Sequence, residues 1–348
     1  MINIIRLYLF CLSTNILISV CIRSNKSAVK IWSWLIIGLL IGLWPIHLYA
    51  ADKRPVADDA FFTLDNGTNL RIFGGKTISH LLVRKRGEGQ HFGEKQRQRY
   101  CQLKQARNIQ WALNDLETGE IISRNANADE VYFGASVAKI FVAAALLDKQ
   151  KGHFDRDQLT LMVRMIVVSS NSAWKELQRQ TGDDGTDDSG RAAVDAFVQS
   201  MGYTNTKGFQ GWWNRKDGTR IHGNELNSME LAKFIHDTYH RRYKGAEVLW
   251  EIMQATATGR RRINRYTPQT IFIGGKTGTY DGPNSSPATV NLKNIRARNH
   301  VVNLKIGNKI YGLTILSNTG SEEDVAILGG GLMREYLGVE PTVTCKNY

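Results

Sequence analysis

Ser136 and Lys139 stand three residues apart in Gly134-Ala135-Ser136-Val137-Ala138-Lys139, at the head of the apolar run from Ile140 to Leu147. With no Gly or Pro from Ser136 to Leu147, the run favours helix, and serine is a preferred opening residue because its oxygen caps free N–H groups. Residues three apart share a helical face, so the Lys139 amine can reach back over the Ser136 hydroxyl. A hydroxyl beside an amine is a nucleophile beside a base, the minimum needed for acyl transfer through a serine ester. Ser-x-x-Lys alone is a weak pattern. It occurs three times here, at Ser27–Lys30, Ser136–Lys139 and Ser172–Lys175, and only the middle copy opens an apolar helix.

Two further stretches carry groups such a nucleophile would need. Ser169 and Asn171 place a hydroxyl and a carboxamide two residues apart in Val167-Val168-Ser169-Ser170-Asn171-Ser172. Either this is a polar cluster ending a helix, or its hydroxyl and amide face the Ser136 helix and hydrogen-bond a substrate. The third stretch, Thr270-Ile-Phe-Ile-Gly-Gly-Lys276-Thr277-Gly278-Thr279-Tyr280, reads as an edge strand open to a ligand. Glycine there permits close backbone approach, and the N–H groups of Thr279 and Ser136 can share one site. Lys-Thr-Gly is far rarer by chance than Ser-x-x-Lys, and the order Ser136, Ser169, Lys276 constrains the reading further.

Carrying these three motifs in this order, the sequence resembles the penicillin-recognising serine hydrolases, nearest to class A β-lactamases and D-alanyl-D-alanine peptidases, over about residues 95–338. The resemblance implies Ser136 as nucleophile, Lys139 as its base, and Ser169 as proton relay to the leaving nitrogen. It implies Lys276 and Thr277, with Gly278, receiving a substrate carboxylate, Asn171 holding the acyl side-chain amide, and the amides of Ser136 and Thr279 stabilising the oxyanion. No cofactor or metal is implied. Two departures stand out. The segment between Ser136 and Ser169 is shorter than in typical class A enzymes. The loop glutamate that activates the deacylating water in those enzymes is missing, because no glutamate occurs from Asp183 through Asn224. Asp217 and Glu225 are the candidate substitutes, Glu225 being expected instead to cap the helix it precedes. Three functions stay open: a D-alanyl peptidase or related acyl-serine hydrolase with slow deacylation, a β-lactamase using a substitute base, and a non-turnover sensor of β-lactams or peptidoglycan.

Those groups need a scaffold. A helix is expected over about residues 95–106, then a hairpin from Ile109 to Asn114 and Glu120 to Ser123, then helical periodicity at 155–168, 192–201 and 228–243. Residues 161–173 resemble the helix bearing the family's second motif, and 310–317 with 322–337 its closing strand and last helix. The expected architecture is a three-layer α/β domain, an antiparallel sheet with helices on both faces, built from residues 95–135 and 255–348. An all-α domain, 136–254, is inserted between them. Residues 51–94 read as an appendage, with a hairpin at Phe61–Leu64 and Leu70–Phe73 and a plain turn at Gly74-Gly75-Lys76-Thr77.

With 42% hydrophobic and 22% charged residues among 348, the chain has the composition of a globular protein. Lys26 and Lys30 precede an apolar run from Ile31 to Trp44, with a small-residue cleavage site near Ala50, so residues 1–50 read as a signal peptide or membrane anchor. A second apolar run, Ile2–Ile22, is either a membrane segment or upstream of a true start near Val29. Either way the body is expected to be periplasmic or extracellular. Removing that region takes Arg6, Arg23, Lys26 and Lys30 and no acid from a net charge of +13. The remaining basic residues are scattered, without the aromatic-interleaved stripe of a nucleic-acid binder, and suit wall polymers or a membrane surface. A monomer acting on peptidoglycan stem peptides or β-lactams is expected. Cys101 and Cys345 remain after export and are expected to form a disulfide. His236 and His240 lack a zinc protease's glutamate and an evident third ligand, and His91 and His222 read as surface or capping residues.

Overall fold

The computed structural model describes residues 85–345 apart from Lys216 and Ser285, together with the backbone of four short strands nearer the N-terminus. The chain divides into two units, residues 1–56 and 57–348. In the first, β1 (Ile4–Phe10) pairs antiparallel with β2 (Leu17–Arg23). The expected apolar segment at 31–44 and the cleavage site near Ala50 lie outside the described residues. Among the described residues no helix is long and apolar enough to cross a membrane.

The second unit begins with β3 (Arg71–Ile72) paired to β4 (Lys76–Thr77), and the expected turn at Gly74-Gly75 lies outside the described residues. The expected partner strand at 61–64 is outside the described residues. The chain then runs through α1 (Glu94–Leu103), β5 (Ile109–Asp115), β6 (Ile121–Arg124) and β7 (Tyr132–Phe133). A single 3-10 turn (Ala135–Ala138) leads into α2 (Lys139–Lys149), α3 (Arg156–Val167), α4 (Asn171–Thr181) and α5 (Asp187–Ser200). The small strands β8 (Trp212–Asn214), β9 (Arg220–His222) and β10 (Glu225–Leu226) precede α6 (Ser228–Tyr239), α7 (Ala246–Gln254) and the one-turn α8 (Ile263–Tyr266). The long strands β11 (Phe272–Pro283), β12 (Asn294–Ile306) and β13 (Lys309–Ser317) and the last helix, α9 (Glu322–Tyr336), complete the fold.

Five strands make one antiparallel sheet in the order β11-β12-β13-β5-β6. Alternation along each strand sends successive side chains to opposite faces. Trp111, Leu113, Val302, Leu304, Leu313 and Ile315 pack with α1 and α9 on one face. On the other, Val301 and Leu316 join the core of the helical region. The layers are pinned by polar bonds as well: Asn114 Nδ2 donates to Ala232 O at 3.2 Å, and Thr314 Oγ1 to Ser228 O at 2.9 Å. Helix α9 approaches α1 so closely that a Cβ on Gly331 would fall 2.1 Å from the Tyr100 ring. Cys345 is disulfide-bonded to Cys101 on α1, with the Cα atoms 5.5 Å apart.

At the centre of the helical region lies α2, buried at every position from Lys139 to Leu147. A helix apolar all round needs neighbours on all sides, and α3, α4, α5 and α7 supply them. The last residues of the expected appendage are bound into the body. Gly87 N donates to Ile271 O at 3.1 Å, Glu88 N to Asn264 O at 2.8 Å and Gly89 N to Thr267 O at 2.9 Å, so the segment is strung along the start of the edge strand β11.

Candidate active site

Ser136 is not the cap of its helix. It sits inside the 3-10 turn, preceded by Ala135 at φ +48, and Gly134 takes the cap position without a side-chain bond. A capping oxygen would be tied to the backbone; here Ser136 Oγ instead accepts from Lys139 Nζ at 3.0 Å. The turn is clamped against the sheet from two directions. Asn299 Nδ2 donates to Phe133 O at 2.8 Å and Gly134 O at 2.9 Å. Gly278 lies so close that a Cβ there would stand 2.5 Å from Gly134 O. That contact is the physical reason for glycine after Lys276-Thr277.

The helix expected at 155–168 ends at Val167, so residues 161–173, which resemble the family's second-motif helix, are shared between α3 and α4. Chain continuity breaks at Ser169, whose φ of +62 falls in the left-handed region, a conformation that costs a non-glycine residue about 1–3 kcal/mol and gathers at functional sites. The bend turns both the carbonyl and the hydroxyl of Ser169 toward Lys139, at 2.7 and 3.2 Å from Nζ. Asn171, the first residue of α4, accepts from the same nitrogen through Oδ1 at 2.7 Å. The Trp174 ring lies 5.1 Å away. Lys276 Nζ donates to Ser169 Oγ at 2.9 Å and to Thr277 O at 2.9 Å. With two lysine donors on its oxygen, the Ser169 hydroxyl is free to direct its own proton outward.

Both lysines are out of water. Burial pulls the Lys139 ammonium down to about 8. Lys276 is pushed well below the usual lysine range by burial first, then by the charges of Lys139 and Arg262. Such a pair favours one neutral amine and awaits an anion for the other.

A groove of about 510 Å³ opens at Ser136 and Ser169 and is walled by Ala257, Thr258, Gly259, Arg260, Arg261, Arg262, Thr277, Thr279 and Glu322. Thr277 Oγ1 donates to Thr258 Oγ1 at 2.7 Å. Arg262 is buried and donates to Gly278 O at 2.8 Å, Asn299 O at 2.6 Å, the Thr279 hydroxyl, and Glu322 at 3.1 Å. The motif reading missed Arg262, Asn299 and Thr258. Three consecutive arginines before the Lys-Thr-Gly strand were the one signal available.

Neither substitute base lines that groove. Asp217 is exposed at the tip of the β8–β9 hairpin, where its Oδ1 accepts from Thr219 N at 2.9 Å and is held below the usual carboxylate range by that bond. Glu225 is not a helix cap: Asn227 takes that role, its Oδ1 accepting from Glu230 N at 2.7 Å. Glu225 lies instead in β10 opposite Phe133, its carboxyl pushed up by burial and bonded by Ser286 Oγ at 3.0 Å. His222, expected at the surface or as a cap, is buried against Trp212 and Phe133 because β8 and β9 pair as a hairpin. The rings of His236 and His240 lie 4.4 Å apart at a tilt of 51°, with His240 Nε2 bonded to Leu116 O. Among the described residues no group of three or more His, Cys, Asp or Glu is placed to hold a metal ion.

Residues 158–327 match the model of the Beta-lactamase enzyme family. Comparison with curated protein sequences returns no match. Among solved structures, a β-lactamase from Streptosporangium roseum is similar at 18% identity and a TM-score of 0.53, covering 71% of this chain and 99% of its own. A β-lactamase from Sphaerobacter thermophilus matches at 16% identity and 0.52, covering 72% and 99%, and one from Chitinophaga pinensis at 17% and 0.51, covering 68% and 95%. The structural likeness gives a β-lactamase-like fold, and the stretch 158–327 within it is similar to the Beta-lactamase enzyme family.

Proposed function

We propose that Ser136 is acylated by β-lactams or D-alanyl peptides and that its ester is released slowly. The observation that carries this is the 3.0 Å contact of Lys139 Nζ with Ser136 Oγ inside a buried pair of lysines bridged by Ser169. With Lys139 as a free amine, the Ser136 hydroxyl donates across that contact and its oxygen attacks the carbonyl. The N–H groups of Ser136 and Thr279 take the oxyanion, a donor of that kind being worth about 3–4 kcal/mol. Ser169 passes the proton to the leaving nitrogen. A substrate carboxylate beside Lys276 and Thr277 returns the charged form to Lys276, so substrate binding and lysine protonation reinforce each other. Asn171 holds the acyl side chain by its amide.

Slow release follows from what surrounds the ester. Asp217 and Glu225 are both tied up away from the groove, which argues against either as a deacylating base. We place the protein outside the cytoplasm, periplasmic or extracellular, acting as a monomer on wall stem peptides. The disulfide supports this, since such bonds persist in oxidising compartments. The test is intact mass after mixing with benzylpenicillin: a lasting adduct on Ser136 is expected, a transient one would favour a β-lactamase, and none would overturn the reading.

A further inference from the structure

The groove that opens at Ser136 and Ser169 is also lined by the turn Gly259-Arg260-Arg261-Arg262. This turn is held firmly. Arg262 N donates to Gly259 O at 2.9 Å, Ala257 N to Val167 O at 3.0 Å, and Thr258 is bonded to Thr277. Gly259 has φ +98, where a side chain would be strained. Each flanking arginine has a carboxylate of its own: Arg260 pairs with Glu88 at 2.8 Å and Arg262 with Glu322 at 3.1 Å. Arg261, exposed between them and lining the groove, has no hydrogen bond or ion pair among the described residues.

We infer that Arg261, presented by this turn, recognises a second carboxylate on the leaving group, so that the preferred substrates are D-alanyl peptides whose departing amine belongs to an acidic residue. The inference rests on the acyl-transfer reading above and specifies its substrate. In the reaction, Ser136 Oγ bonds to the D-alanyl carbonyl carbon, the C–N bond breaks, and the amine leaves with a proton delivered through Ser169. Water later returns the ester to acid and free Ser136. With the departing residue's α-carboxylate at Lys276 and Thr277, its side chain is free to meet the part of the groove wall that carries Arg261. A single D-alanine leaves that stretch empty. Because Glu88 and Glu322 already neutralise the outer arginines, the charge left to meet a substrate is that of Arg261, and a planar guanidinium suits a carboxylate bidentately.

The experiment compares two acylated peptides that differ only in the leaving residue, one ending D-Ala-D-Glu and the other D-Ala-D-Gln. Side chains of nearly equal size isolate the charge. The wild-type chain is expected to favour D-Glu in kcat/KM by about fivefold, as for a partly exposed ion pair. Arg261→Gln should bring the ratio to about one, and Arg261→Glu should invert it. Unchanged urea midpoints show that both variants keep the fold. Equal rates for the two peptides on the wild-type chain overturn the inference alone while labelling persists, as does a preference that survives Arg261→Gln. Absence of any acyl-enzyme with either peptide or penicillin overturns the acyl-transfer reading and this inference with it.

Discussion

The two halves of the site around Ser136 are furnished unequally. On the Ser169–Lys276 side, within about one hydrogen bond of the nucleophile or its base, stand two lysines, a serine in a strained backbone conformation and a carboxamide, all bonded to one another. On the side of the loop from Gly208 to Asn224, the described polar groups tie the loop to α4 and α5, and none of them lines the groove. Gln210 N donates to Gln178 Oε1 at 2.7 Å, Arg215 pairs with Asp195 at 2.8 Å, and Phe209 and Trp213 pack edge to face. Forming a serine ester and hydrolysing it are separate problems, because the second needs a base on the other side of the carbonyl. Among the described residues, the groups around Ser136 suit the first, and neither Asp217 nor Glu225 lines the groove to serve the second.

The largest effect that would break the comparison is at the nucleophile: Ser136→Ala is expected to abolish penicillin labelling, read as loss of the mass adduct. Next is turnover. Steady-state penicillin hydrolysis is expected to stay well below about 10 s⁻¹, the median of enzymes, with Asp217→Asn and Glu225→Gln changing release less than about twofold. A tenfold slower release in Glu225→Gln would show that the bare half holds a base after all.

A third test reads the furnished half by pH. Acylation requires Lys139 as free amine, so its rate should rise with pH and level off with an inflection at about 8. The same shift bears on stability. A lysine whose folded pKa is lowered keeps fewer protons folded than unfolded between about 8 and the ordinary value of 10.5, so its destabilising contribution is full below about pH 8 and fades as pH rises toward 10.5. Denaturant midpoints compared with Lys139→Met should show this gain only in the wild-type chain. A flat acylation profile from pH 6 to 9 would remove Lys139 as the base.

The smallest expected effect on either half comes from the far face. Cys101→Ser is expected to lower stability by about 2–4 kcal/mol, the usual worth of a disulfide, measured as a shift in urea midpoint, with penicillin labelling unchanged. A large change in labelling would mean that the α1–α9 layer reaches the groove.

Ser136, Lys139 and Lys276 were legible from the sequence because each sits in a short motif whose spacing is itself the chemistry. The hairpin at 109–124 was legible because a period-2 pattern reports burial on one face, the edge position of the Lys-Thr-Gly strand because of its glycines, and the closing strand and helix through the family resemblance. Long-range placement was not. Ser169 breaks its helix through a left-handed φ that no local propensity announces, and Glu225 turns from cap to strand because Phe133, ninety-two positions earlier, pairs with it. Arg262 becomes part of the groove only because Gly278, Asn299, Thr279 and Glu322 converge on its guanidinium. Local chemistry depends on neighbours in sequence and was written there. Which groups are dry, paired or left to meet a substrate depends on neighbours in space, and only the tertiary structure decided that.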